Sequence, residues 1–170
     1  MTNRNRPPGS LRILINPYAD VGNARAIFEI LNSYAQDPNG GSKALSGWTQ
    51  TRLVPEMRKR PWIVTLLAIL GDKPVGLLIA MEGFSTFAAR PLMNIHDAAV
   101  LPEYRGKGVG KALFEETESV ARKRGCCKLT LEILDGNERA KSLYTRLGFQ
   151  PYVLNPELGA AQFWEKSIDD

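Results

Sequence analysis

Arg105-Gly106-Lys107-Gly108-Val109-Gly110 follows an apolar, strand-like run ending at Val100-Leu101-Pro102 and opens a run with helical periodicity. Three glycines in five residues leave the backbone uncovered, so N–H groups can converge on an anion. The helix behind the turn adds unsatisfied amides and the positive end of its dipole. Arg105, Lys107 and Lys111 add positive charge. The stretch predicts a phosphate site. It is not the nucleoside-triphosphate loop: aligned on Gly110-Lys111, Arg105 stands where that motif has its first glycine, and Ala112 where it has a hydroxyl for magnesium. It is not the dinucleotide fingerprint either, because the third glycine falls on Lys111 or Leu113. What remains is Arg-x-x-Gly-x-Gly, a cradle for a diphosphate that requires no metal.

Working outward, the helix behind the turn runs to about Arg124. Val109, Leu113, Val120 and Ala121 supply its inner face, Glu115, Glu116 and Glu118 face water, and Gly125 stops it. Leu129, Leu131 and Ile133 alternate as a strand. Asn137 caps a second helix with a stripe of Ala140, Leu143, Tyr144 and Leu147; Gly148 ends it and Phe149 packs back. Two strands joined by a helix should be parallel, with a right-handed crossover. Upstream, Trp62–Leu70 and Val75–Met81 read as a buried hairpin about Gly71-Asp72-Lys73-Pro74, Glu82–Pro91 as a loop, and Leu92–Val100 as the strand that feeds the turn. Leu11–Ile15 is a further strand. Ile27, Ile30, Leu31 and Tyr34 mark a helix that Asn23 could cap, and Asp37-Pro38-Asn39-Gly40-Gly41 ends it as a loop. Ser42–Arg60 reads as a short helix and an irregular segment. Gln150–Leu154 and Ala161–Lys166 are two closing strands. The expected fold is α/β: a mixed, mostly antiparallel sheet with helices on both faces.

The 170 residues fit a disordered tail over 1–10 and a single domain over 11–170. Hydrophobic residues at 44% and charged residues at 24% are the balance of a globular protein with a real core. The net charge of +4 is spread along the chain, and no basic run with interleaved aromatics predicts a nucleic-acid partner. Adjacent Cys126 and Cys127 close no useful loop, and with a single His they form no zinc site. A reducing cytoplasm fits. The start lacks a signal peptide's apolar core, and the longest apolar run is too short to span a membrane.

A diphosphate turn directly after a strand places an extended ligand along that strand, where the backbone at Ala98, Ala99 and Val100 can pair with an amide-bearing arm. Coenzyme A has such an arm, the pantetheine, attached to a diphosphate. With Val100, Arg105–Gly110, Asn137-Glu138-Arg139-Ala140, Leu143-Tyr144 and Leu147-Gly148-Phe149 in this order and spacing, Asn94–Phe149 resembles the GNAT superfamily of N-acetyltransferases. The first half agrees in coarse organisation only. The resemblance implies a GNAT-like acyl-CoA N-acyltransferase fold, in which the strand before the turn carries a bulge and splays from the next parallel strand at the coenzyme. It implies acetyl-CoA as co-substrate, bound by the amides of Gly106, Lys107, Gly108, Val109, Gly110 and Lys111, with Arg105 shaping the turn. Ala98, Ala99, Val100 and Asn137 match the pantetheine-facing positions, and Tyr144 matches the residue whose hydroxyl points at the thioester sulfur. Dimers are common among similar proteins, so a homodimer is one expected assembly.

The implied reaction is N-acetylation of a primary amine. An alkyl ammonium has a pKa of about 10.4, so a base must take its proton at neutral pH. Candidates are His96, whose type titrates near neutrality, Asp97 beside it (on the opposite pleat face if the strand is regular), Glu82, Glu132 and a water. Some polyamine acetyltransferases of this superfamily have Glu-Asp where this chain has His96-Asp97, so a polyamine acceptor does not follow. Tyr144 would protonate the leaving thiolate. Each residue also has a plainer reading: Tyr144 as a core aromatic, His96 as a half-buried histidine, Asn137 as a helix cap. A coenzyme-binding regulatory module without turnover is the alternative function. Candidate acceptors are a small amine, an amino acid or aminoglycoside, or a peptide or protein amine, and the acceptor site is expected over Asn23–Arg60 and Glu82–Pro91.

Overall fold

A computed structural model describes residues 9–153, 155–159 and 161–168. The tail expected over 1–10 therefore lies outside the described residues, apart from Gly9 and Ser10. The chain forms two compact units, one reaching to Leu131 and one starting at Glu132.

The first unit is a five-stranded sheet in the order β1-β2-β3-β4-β5. Its strands are β1 (Leu11–Ile15), β2 (Ile63–Leu70), β3 (Lys73–Ser85), β4 (Arg90–Val100) and β5 (Leu129–Leu131). The first three pairings are antiparallel, and β4 with β5 is parallel. Helices α1 (Val21–Ala35), α2 (Gly47–Arg58) and α3 (Val109–Lys123) pack on this sheet. Leu67, Leu77, Ile79 and Ala99 form one core with Ile27, Ile30 and Leu31 of α1 and Met57 of α2. The opposite face carries Leu66, Ala68, Leu78, Ala80 and Ile95, all buried, and receives Val109 and Leu113 of α3. This explains why β2 is apolar apart from buried Thr65, whose hydroxyl bonds that of Tyr18: a strand covered on both faces has no polar side.

Gly76 marks how closely α3 approaches. A Cβ there would lie 2.9 Å from a Val109 methyl, 3.2 Å from a Leu113 methyl and 3.3 Å from the Ala99 carbonyl oxygen. The start of α3 therefore rests on bare backbone. Gly76→Ala is expected to push that helix off the sheet and to cost about 1–3 kcal/mol of stability, read as a lower midpoint of chemical denaturation.

Three sequence expectations are corrected here. Asp20, not Asn23, caps α1: its Oδ1 accepts the Asn23 N–H at 2.8 Å. The Glu82–Pro91 loop is mostly strand, because Glu82↔Met93, Gly83↔Leu92 and Phe84↔Pro91 pair across the hairpin, leaving residues 86–89 as the turn. The strand expected to reach Ile133 stops at Leu131. The short helix expected within Ser42–Arg60 is found as α2, started by Ser46, whose hydroxyl accepts the Thr49 N–H at 3.1 Å.

In the second unit, α4 (Glu138–Arg146) is capped by Asn137, whose Oδ1 accepts the Ala140 N–H at 3.1 Å. Gly148, at φ +87°, reverses the chain, the Phe149 N–H donates to the Tyr144 carbonyl at 2.9 Å, and the Tyr144 and Phe149 ring centroids lie 5.9 Å apart. This is the predicted helix stop. The two closing strands are not formed among the described residues, and Leu154 lies outside them. Tyr152, Val153, Phe163 and Trp164 are exposed; a β-prone run without a neighbouring strand has no ladder to join.

Candidate functional site

The β4 strand is irregular where it matters. Ile79 pairs with Asp97 but Ala80 pairs with Ile95, so His96 is an extra residue, a bulge in β4. The bulge resets the strand's faces. Asp97 joins Ile79 on the α1/α2 side, and Ala99 follows it with Leu77. Exposed His96 is left outside the ladder. The expectation that His96 and Asp97 lie on opposite faces assumed a regular pleat, which the bulge removes.

Beyond the bulge, β4 gains no second neighbour. Its parallel ladder with β5 comprises Met93↔Leu129, Asn94↔Thr130 and Ile95↔Leu131. From His96 to Val100, among the described residues, β4 pairs with β3 alone. One backbone edge beside Ala98, Ala99 and Val100 is therefore available to an extended ligand, although the Val100 carbonyl already accepts the Arg105 Nε–H at 3.0 Å.

That edge leads into the glycine turn. A short 3-10 turn, Pro102–Tyr104, precedes it, and Gly106 and Gly108 then adopt φ of +77° and +80°. A Cβ on either glycine would meet nothing within 4 Å, so the space before the turn is open. Gly108 is the N-cap of α3, yet among the described residues no side chain caps the helix, and its first turn holds no acidic residue. The first amides of α3 therefore lack the usual competitors of an anion. Lys107 lies 5.2 Å over the Tyr104 ring, and Lys111 pairs with Glu115 at 3.4 Å. Arg105 is differently engaged: besides Val100 it reaches Asp37, Nη2 to Oδ2, at 2.9 Å. Asp37 was read only as part of a loop. The Asn39 N–H, followed by the Arg105 guanidinium, lowers its pKa to about 2.

Asp97 lies beneath α1. Burial raises its pKa, and the His96 charge opposes that rise. Burial also raises the Tyr34 hydroxyl, helped by the negative charges of Asp97 and Asp37. Glu82 is committed to Arg124 at 2.8 Å. Between α1 and α2, a groove of about 760 Å³ is lined by Tyr18, Val21, Phe28, Val54, Pro55 and Arg58, among others. In the second unit, Asn137, Tyr144 and exposed Glu132 are carried on α4 and the segment before it. Among the described residues, no group of three or more His, Cys, Asp or Glu could hold a metal ion, and no helix is long and apolar enough to cross a membrane.

Residues 25–149 match the family described as acetyltransferase (GNAT). The chain is 33% identical over 104 residues to a glucosamine 6-phosphate N-acetyltransferase of Trypanosoma brucei brucei, covering 58% of this chain and 67% of that protein. It is 40% identical over 80 residues to a thialysine N-epsilon-acetyltransferase of Bos taurus, covering 47% and 46%. The chain thus spans less than half the length of this second relative. Among solved structures, a probable acetyltransferase superposes with a TM-score of 0.76 at 19% identity, over 94% of this chain and 99% of that one. An aminoglycoside acetyltransferase from an uncultured soil metagenomic sample gives 0.73 at 17% identity, over 92% and 96%. These likenesses show the fold.

Proposed function

The chain belongs to the acetyltransferase (GNAT) family, and from that premise we propose that it transfers the acetyl group of acetyl-CoA to a primary amine by direct attack. One observation carries the reading. The amides at the start of α3, behind left-handed Gly106 and Gly108, stand at the end of a strand whose outer edge, among the described residues, has no ladder partner beyond Ile95. The diphosphate belongs at the amides of 106–111 and the pantetheine along Ala98–Val100.

In the proposed reaction Asp97 is the base. A buried carboxylate holds a proton more tightly than an exposed one, which suits it to take one from an amine, directly or through a water. The amine nitrogen bonds to the thioester carbon, backbone N–H groups support the oxyanion, and the carbon–sulfur bond breaks. The thiolate takes a proton or a hydrogen bond from Tyr144. This last assignment, like that of Asn137 to the pantetheine, rests on the family pattern carried from Asn137 to Phe149. His96, which the bulge leaves outside the ladder beside Asp97, is read as the neighbour that adjusts it. The acceptor approaches from the α1/α2 side, onto which Asp97 turns. Half-buried free Cys126 and Cys127 suit a reducing cytoplasm.

The test is thiol release from acetyl-CoA across a panel of small amines, amino acids, aminoglycosides and peptides. Release with at least one class is expected; coenzyme A binding without release from any acceptor would leave a non-catalytic module. Tyr144→Phe is expected to lower kcat about tenfold at unchanged coenzyme A affinity, a modest factor because a thiolate is already a fair leaving group, with a thiol pKa of about 8.5. Unchanged kcat would clear Tyr144 of the acid role.

A further inference from the structure

Asp37 is joined to the glycine turn although 68 residues separate it from Arg105. Its two carboxylate oxygens are divided. Oδ1 accepts the Asn39 N–H and the Asn39 Nδ2–H, each at 3.0 Å, while Oδ2 accepts from Arg105 Nη2 at 2.9 Å. Asp37 is itself fixed to the end of α1. Its N–H donates to the Tyr34 carbonyl at 2.9 Å, and its own carbonyl accepts the N–H groups of Gly40 at 2.8 Å and Ser42 at 3.3 Å. Gly40 packs so tightly on that helix end that a Cβ there would overlap the Tyr34 carbonyl. The carboxylate is thus a rigid anchor on the α1–α2 connection.

Arg105 extends the anchor to the turn. With Nε on the Val100 carbonyl and Nη2 on Asp37, its guanidinium is spent on the protein and lies across the gap between the end of β4 and the end of α1. The residues that follow need such a hold. Glycine has the greatest backbone freedom of any residue, and Gly106 and Gly108 must both be held at positive φ for the turn to present its amides. A site assembled before binding does not lose affinity to ordering.

We infer that Asp37 is a positioning residue for the coenzyme diphosphate: through Arg105 it fixes the glycine turn in its anion-binding conformation. The inference rests on the reading of 106–111 as the diphosphate site. It predicts an effect confined to ligands that carry a diphosphate.

The experiment is calorimetric titration of the full chain and its Asp37→Ala, Asp37→Asn and Asp37→Glu variants with coenzyme A and with adenosine diphosphate, and competition with S-acetylpantetheine, which lacks the diphosphate. Asp37→Ala should weaken coenzyme A and adenosine diphosphate by a common factor of about ten, the scale of one charged hydrogen bond, and leave S-acetylpantetheine unchanged. Asp37→Glu should recover most of the loss. Asp37→Asn, which keeps an oxygen for Asn39 and loses the charge, should behave like the alanine variant and serves in its place if that one does not fold. Wild-type or tighter coenzyme A affinity in the folded alanine and asparagine variants would overturn the inference. So would an equal loss for S-acetylpantetheine, which would mark a general structural defect. A wild-type chain that ignores coenzyme A would instead remove the reading of the turn itself.

Discussion

Gly108→Val is expected to lower coenzyme A affinity by more than about a hundredfold, near 3 kcal/mol at 1.4 kcal/mol per tenfold, while the chain remains folded. Two effects combine. Gly108 sits at φ +80°, where a side chain costs about 1–2 kcal/mol and a β-branched one is a true outlier. The added Cβ would also point into open space, with nothing within 4 Å. On the proposed reading, that space before the first amides of α3 is the volume a diphosphate would fill. Valine therefore both distorts the cradle and occupies it. Gly125 supplies the control, since it has φ +73° and equally open surroundings at the other end of α3. Gly125→Val should show a similar loss of stability and normal coenzyme affinity. Wild-type affinity in the Gly108 variant, or an equal loss in the Gly125 variant, would contradict a specific diphosphate site at the turn.

The sequence was legible where structure is local. The glycine turn, the inner face of α3 and the cap and stop of α4 depend on residues within a turn or two of each other, and they are found as read. Features that require a distant partner were not legible. The resemblance implies a bulge in this strand, but its place at His96 exists only as a mismatch between β3 and β4 registers, which no property of Ile95-His96-Asp97 alone announces. Yet it decides which face Asp97 joins. Asp37 lay within an Asp-Pro-Asn-Gly-Gly stretch whose plain meaning is a turn. Its second role depends on Arg105, and no local spacing could supply that. The hairpin beyond Glu82 was hidden by Gly83 and the polar residues near it; cross-strand pairing of Phe84 with Pro91 overrode their weak strand preference. The converse error appears at 161–166, where a short run with adjacent aromatics reads as a closing strand although no neighbouring strand is assured.

Asp97→Asn is expected to lower kcat/KM by about a hundredfold to a thousandfold, within the usual range for loss of a general base, with coenzyme A affinity unchanged. Asparagine keeps the shape and cannot take the proton. The pH dependence adds a second signature. Burial raises the Asp97 carboxyl above its ordinary 3.8, so the wild-type rate should fall with acid at a pH higher than an exposed aspartate would give. The base works only when ionised, so activity is present above its pKa and lost as pH drops through it. That limb should be absent in the asparagine variant. His96→Ala separates the two neighbours. A charged imidazole stabilises the Asp97 carboxylate and lowers its pKa; without it, the acid limb should move to higher pH, with the plateau rate largely kept. If His96 were the base, the outcome would reverse: His96→Ala would lose the plateau rate, and Asp97→Asn would only displace the limb. The bulge favours Asp97, because it turns that carboxylate under α1 and leaves His96 exposed beside it.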